Sequence, residues 1–336
     1  MVLMFRFQRV RPVTRTCEAR SPRLGRRRGS VSRVTAVTAV VVAVLAASVT
    51  GCRNSATEPR LQIVAALYPL EYVARKVVGT GADVSSLANG AVEPHDQELT
   101  AKQRASLANA TQVLYIKGMS PSVDEAVSGA SNATEVLSLL GDQARTRDPH
   151  MWLNPLLLAQ VGQALASNLA DIDPSNATSY ATNAAALTAS LTQLDSAIRT
   201  ATARCDERLM VTTHGAFAYF ASRYKFRQVN VLGTNPEAQP SPAVIARLVS
   251  VIRENKVSSV YGEVGGESRI AATLASETGT KVRRLYPIEV AVPGQDYISM
   301  MNHNLGQVVA GQVCVRRVGG GASLVTPDTS SSGGPQ

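Results

Sequence analysis

Aromatic residues make up 4% of this 336-residue chain, and there is a single tryptophan. So few rings argue against a groove that stacks successive bases. Histidine and cysteine are scarce, with four of each. No His-Glu-x-x-His motif and no Gly-x-Ser-x-Gly elbow is present, which removes the commonest local signatures of metalloproteases and serine hydrolases. No apolar run reaches the roughly 20 residues of a membrane span. What is there is ordinary: 45% hydrophobic and 18% charged residues suit a globular protein. The length allows two domains with a substantial core.

The net charge of +9 is concentrated at one end. Ten arginines and one acid precede residue 34, and the remainder balances at 24 basic and 24 acidic residues. The basic excess therefore belongs to a targeting segment and implies no nucleic-acid partner. Arg26, Arg27, Arg28 and Arg33 lead into the apolar run 34–49, which ends in Val49-Thr50-Gly51-Cys52. A basic region, an apolar core and small residues form an export signal. Its ending resembles a bacterial lipobox, which implies that Cys52 carries a lipid and anchors the chain outside the cytoplasm. Residues 1–51 are thus expected to be signal and 52–60 a polar tether. Cys205 and Cys314 remain in an oxidising compartment, where a disulfide is allowed. Such a bond would contribute about 2–4 kcal/mol, and two buried thiols are the alternative.

From residue 61, short apolar runs alternate with amphipathic stretches. Residues 61–67, 84–87 and 112–117 read as strands, 71–78, 100–108 and 123–127 as helices, and 135–140 as extended. The same rhythm returns at 209–212, 228–232, 257–261 and 282–286, with helices at 216–223, 242–253, 270–278 and 297–313. This pattern predicts mainly parallel sheets covered by helices, an α/β fold. Between the two halves, 155–169 carries a helical apolar stripe. Asp173 and Pro174 then open a segment uninterrupted by Gly or Pro up to residue 204. Tyr180, Ala184, Leu187, Leu191, Leu194, Ile198 and Ala201 repeat at spacings of four and three, one stripe on one long helix. The expectation is a lobe at 61–172, a rigid linking helix at 173–204, a second lobe at 205–316, and a disordered Gly- and Ser-rich tail at 317–336.

Three of the four histidines stand where a strand or loop gives way to a helix: His95 in Glu93-Pro94-His95-Asp96, His150 in Asp148-Pro149-His150-Met151-Trp152, and His214 in Thr212-Thr213-His214-Gly215. Ligands of open α/β sheets gather beyond the carboxyl ends of strands. The gaps of 55 and 64 residues exclude a local zinc finger. By position alone these are either metal ligands from two lobes or turn residues with satisfied hydrogen bonds.

These segments resemble the metal-specific solute-binding proteins of ABC transporters, the zinc and manganese receptor family. Pro94-His95-Asp96 with Glu98-Leu99-Thr100 is similar to its first ligand loop. Asp148-Pro149-His150-Met151-Trp152-Leu153-Asn154-Pro155 is similar to its second, and Thr213-His214-Gly215-Ala216-Phe217 with Tyr219-Phe220 to its third. Pro240-Ser241-Pro242, the strand end Val260-Tyr261-Gly262-Glu263 and the helix around Tyr297–Leu305 extend the likeness over roughly 61–315. The resemblance implies a monomeric, lipid-anchored receptor that hands a metal to the membrane permease of an ABC importer and is not an enzyme. His95, His150 and His214 are its implied ligands. The family often places an Asp after the last strand. Here Glu289 is the nearest carboxylate, with Glu263, as ligand or as acceptor for an imidazole N–H, and a water as alternatives. Asp96 and Asp148 are candidates to orient their neighbouring histidines, and His303 reads as structural. Three imidazoles and a carboxylate suit Zn²⁺ as cargo better than Mn²⁺. A zinc-dependent hydrolase and a surface adhesin are the rival functions. Because imidazole must be neutral to bind metal, affinity is expected to fall as pH drops through about 6.5.

Overall fold

Strand β1 (Leu61–Ala65) is buried over its last three residues, as suits an apolar run at the centre of a parallel sheet. The structure, a computed structural model, describes residues 60–88, 93–144, 148–233, 240–264, 269–318 and 321–324. The export signal, Cys52 and most of the tether lie outside them. Beside β1 run β2 (Ala82–Ser86), β3 (Gln112–Tyr115) and β4 (Ala133–Glu135), all parallel, in the order β2-β1-β3-β4. A second parallel sheet contains β5 (Leu209–Thr212), β6 (Arg227–Asn230), β7 (Ser259–Glu263) and β8 (Lys281–Leu285), in the order β6-β5-β7-β8. The two halves thus repeat one topology. Each changes winding direction between its first and third strands, which is where such sheets place ligands.

Helices α1 (Tyr68–Val78), α2 (Ala101–Asn109) and α3 (Pro121–Ala126) belong to the first half. A capping box of Thr100 and Gln103 starts α2. The stretch 135–140, expected to be extended, instead forms 3₁₀ turns after a three-residue β4. Glu135 causes the change: its carboxylate accepts the backbone N–H groups of Leu137 and Ser138 at 3.0 and 2.7 Å, turning the chain at once.

Helix α4 (Pro155–Ile172) and helix α5 (Ala177–Ala201) form an antiparallel hairpin across a 3₁₀ turn at Pro174–Asn176. At 1.5 Å per residue α5 is about 37 Å long. Its buried residues include the expected stripe from Tyr180 to Ile198, with Asp195 added to it. Gly162 of α4 lets the pair approach closely, since a Cβ there would come within 2.9 Å of Leu187 Cδ2. At one end Asn183 donates to Val77 O of α1 at 3.0 Å. At the other, Asp195 receives Arg223 Nε and Nη2 at 2.8 and 2.7 Å. The helix is therefore fastened to both halves.

Helices α6 (Ala218–Arg223), α7 (Pro242–Glu254), α8 (Arg269–Thr278) and α9 (Tyr297–Gly311) cover the second sheet. The main core is continuous from Ile63 and Leu114 through Leu191 to Phe220, Leu285 and Met301. A smaller cluster around Leu248, Val260 and Leu274 lies beneath α7 and α8. A disulfide joins Cys205, just past α5, to Cys314, just past α9, over a separation of 109 residues. Part of the tail differs from expectation: β9 (Val315–Val318) and β10 (Gly321–Leu324) pair antiparallel. No helix among the described residues is long and apolar enough to cross a membrane.

Candidate metal centre

His95 sits in a 3₁₀ turn, Pro94–Asp96, beyond the end of β2. Pro94 sets the first turn position, and the buried Gln97 fastens its exit by donating to Leu87 O at 2.9 Å. His150 precedes a second 3₁₀ turn, Met151–Leu153, whose three side chains are fully buried. Asn154 then caps α4, accepting Leu156 N–H at 3.1 Å, with Pro155 in the first helical position. The motif Asp-Pro-His-Met-Trp-Leu-Asn-Pro is thus an anchored bend that ends in a helix start.

His214 follows β5 directly. Its carbonyl accepts Thr212 Oγ1 at 2.6 Å and Gln228 Nε2 at 3.0 Å, which fixes the backbone at the strand end. Glu289 follows β8. The end of that strand is pinned by Asn304 of α9, which receives Tyr286 N–H at 2.7 Å and donates to Tyr286 O at 2.8 Å.

The four side chains converge. One donor atom from each of His95, His150, His214 and Glu289 lies within 4.8 Å of every other. The Nε2 atoms of His95 and His150 are 3.3 Å apart. Glu289 Oε1 is 3.1 Å from His150 Nε2 and 4.0 Å from His95 Nε2. A tetrahedron with donors 2.0–2.1 Å from a zinc ion has edges of about 3.3–3.4 Å; the two separations from His150 Nε2 match such an edge, and the remaining donor pairs lie within 4.8 Å. Side-chain exposure is 8% at His95 and at most 3% at the other three, so water is largely excluded.

The far ring nitrogens are also engaged. His150 Nδ1 lies 2.6 Å from Asp148 Oδ1, which accepts the His150 backbone N–H as well, at 3.0 Å. His214 Nδ1 lies 2.6 Å from Glu263 Oε1 at the end of β7. A carboxylate at Nδ1 holds that nitrogen protonated and leaves Nε2 to face the centre. Burial opposes charge on His150, but hydrogen bonds to Asp148 and Glu289 outweigh it and raise its pKa above the usual imidazole range. Burial likewise opposes charge on Glu289, yet the hydrogen bond and charge of His150 hold its carboxyl below the usual range. At His95 burial wins over the nearby Glu289, and the pKa falls to about 4.

The structure thus brings His95, His150, His214 and Glu289 to one point. Glu263 stands behind His214 rather than in the cluster, and Asp148 stands behind His150. Asp96 is exposed, its backbone N–H donating to Glu93 O at 3.1 Å. His303 is outside the centre, with Nε2 3.2 Å from Arg284 O and its ring edge-on to Tyr286. Sequence reasoning included Trp152 and Asn304 only within family-like segments and gave neither a role. Asn304 had a signal: it shares a buried helix face with Tyr297, Met300, Met301 and Val308, and a polar residue on an apolar stripe calls for a partner.

Comparison with known proteins gives a family model described as "Zinc-uptake complex component A periplasmic" (ZnuA), which matches residues 63–311. The high-affinity zinc uptake system protein ZnuA of Bacillus subtilis is 29% identical over 299 residues, covering 79% of this chain and 94% of that protein. The zinc-binding lipoprotein AdcA of Streptococcus pneumoniae is 29% identical over 282 residues, covering 76% of this chain. The chain spans only 56% of AdcA's own length. The crystal structure of the Zn(II)-bound ZnuA-like domain of that AdcA superposes with a TM-score of 0.65 at 29% identity, covering 75% of this chain and 99% of that domain.

Proposed function

The chain belongs to the family of the periplasmic zinc-uptake complex component A, and from that premise we propose that it is the extracytoplasmic receptor of an ABC-type zinc importer. It holds one Zn²⁺ as cargo and passes it to a membrane permease. The observation that carries this reading is the convergence of His95, His150, His214 and Glu289 within 4.8 Å. Three imidazoles and a carboxylate form a closed four-coordinate set that suits zinc, whereas manganese prefers more oxygen donors. With Glu289 in the fourth position no open site remains for an activated water, so a hydrolase role is not favoured. The role is capture and delivery, not catalysis. A surface-adhesin role is likewise not favoured by relatives that are zinc-uptake and zinc-binding proteins.

Lipid attachment at Cys52 is part of the same proposal. It rests on the lipobox-like Val49-Thr50-Gly51-Cys52. A mature chain that begins at Cys52 with an acyl mass, lost in Cys52→Ser, is the expected result.

Metal analysis of the mature protein tests the cargo. One zinc per chain is expected in the wild type. Alanine variants of His95, His150 and His214 should each lose it in competition with a chelator. Stoichiometric zinc retained by all three variants is the result that would defeat this reading.

A further inference from the structure

Ile288 is buried and β-branched, yet its φ is +62°. Such residues rarely adopt this left-handed conformation, and one that does must be held there by its surroundings. Its neighbour is Glu289. The bend at Ile288 turns the chain so that the Glu289 carboxylate reaches His150 Nε2 at 3.1 Å.

What holds the bend comes from the other half of the molecule. Trp152 Nε1–H donates to Pro287 O at 2.8 Å. The backbone N–H of Tyr68, the first residue of α1, donates to Glu289 O at 3.1 Å. These two bonds flank Ile288 on both sides. The Trp152 carbonyl in turn accepts the Tyr297 hydroxyl at 2.6 Å. Trp152 also lies two residues beyond His150, with ring centroids 5.2 Å apart. Glu289 is therefore a residue of the second half whose backbone is held by the first.

We propose that Trp152 and the start of α1 form a latch that aims Glu289 at the centre only while the two halves are closed on each other. Trp152 is a positioning residue in this scheme. When the halves part, both donors withdraw from the Pro287–Glu289 stretch. Ile288 then relaxes to an ordinary conformation and takes the carboxylate with it. The second half then carries both Glu289 and His214 away, and the ion is left on His95 and His150, a weaker site from which a transporter can take it. Closure and zinc retention are coupled through backbone hydrogen bonds rather than through the ion alone. The inference rests on the reading of Glu289 as the fourth ligand.

The experiment is a double-mutant cycle on the full mature chain, with zinc transfer to a chromogenic chelator as the readout. Trp152→Phe removes the N–H donor and keeps an aromatic ring. It should speed zinc release about tenfold, as the loss of one such hydrogen bond predicts. In the Glu289→Gln background the same change should add nothing, because the residue it positions is already disabled. Tyr297→Phe removes one oxygen only. It should act in the same direction with the same loss of effect in that background, and it carries the test if Trp152→Phe does not fold. Equal acceleration in both backgrounds, or none in the wild type, overturns the latch and leaves Glu289 a ligand. If Glu289→Gln itself retains zinc as the wild type does, the ligand reading falls and the latch falls with it.

Discussion

Asp148 holds His150 twice with one oxygen: Oδ1 lies 2.6 Å from the ring Nδ1 and 3.0 Å from the backbone nitrogen. The ring can then neither rotate nor change tautomer without losing a charge-assisted bond. Asp148→Asn keeps the shape and removes the charge. It is expected to weaken zinc binding about 10–100-fold with the fold intact. Isothermal titration beside a circular-dichroism melt separates the two effects, and unchanged affinity would show that Asp148 serves the bend alone.

Glu263 gives the matching test in the second half. Its carboxylate meets His214 Nδ1 at 2.6 Å from the neighbouring strand end. A positioning group and a direct ligand differ in what their loss does to the ion's geometry. In cobalt-loaded protein, Glu263→Gln should lower affinity about 10–100-fold while the visible bands keep their tetrahedral pattern. Glu289→Gln should alter the bands themselves. Altered bands in the Glu263 variant would make it a ligand.

The pH dependence differs from that of three ordinary imidazoles. His95 is already neutral above about pH 4 because burial disfavours its charge. His150 is the reverse, kept protonated above the usual imidazole range by Asp148 and Glu289 despite its burial. Zinc must therefore displace the proton on His150 and none on His95. Affinity should rise about tenfold per pH unit across pH 7 to 8, with about one proton released per ion. Titrations in buffers of different ionisation enthalpy measure that number. Zero protons at pH 7 would contradict the paired arrangement around His150, and the simple expectation of a fall through about 6.5 would then return.

The parts of this centre legible in the sequence were those encoded locally. His150 lies within one contiguous motif that is at once turn, cap and ligand. His214 marks the place where a strand run stops, and His95 lies in the loop that follows one. Glu289 was legible only as the nearest carboxylate, because the left-handed turn at Ile288 that aims it breaks the rule for β-branched residues. Its supports, Trp152 and Tyr68, lie 135 or more residues away along the chain, beyond any local pattern. The same holds for Asp195. It sits beside Leu194 on an apolar stripe whose three-four spacing is complete without it, and its partner is 28 residues further on.

That buried aspartate carries the remaining prediction. Asp195 receives Arg223 through two nitrogens and the Tyr224 hydroxyl at 3.1 Å, joining α5 to α6. Burial alone would raise its pKa, but the hydrogen bonds from Arg223 and Tyr224 outweigh that and hold it below the usual carboxylate value. A carboxyl whose folded pKa is depressed adds stability that is fully present above its unfolded pKa of about 3.9. That stability is lost as pH falls through the lower folded value. Asp195→Asn keeps the volume and removes the charge. It should cost about 1–3 kcal/mol at pH 7 in urea unfolding of the zinc-free protein. The gap between wild type and variant should close as pH is lowered below about 4, because protonation does to the wild type what the substitution has already done. A gap that stays constant down to pH 3 would mean that shape, and not charge, fastens the long helix to the second half.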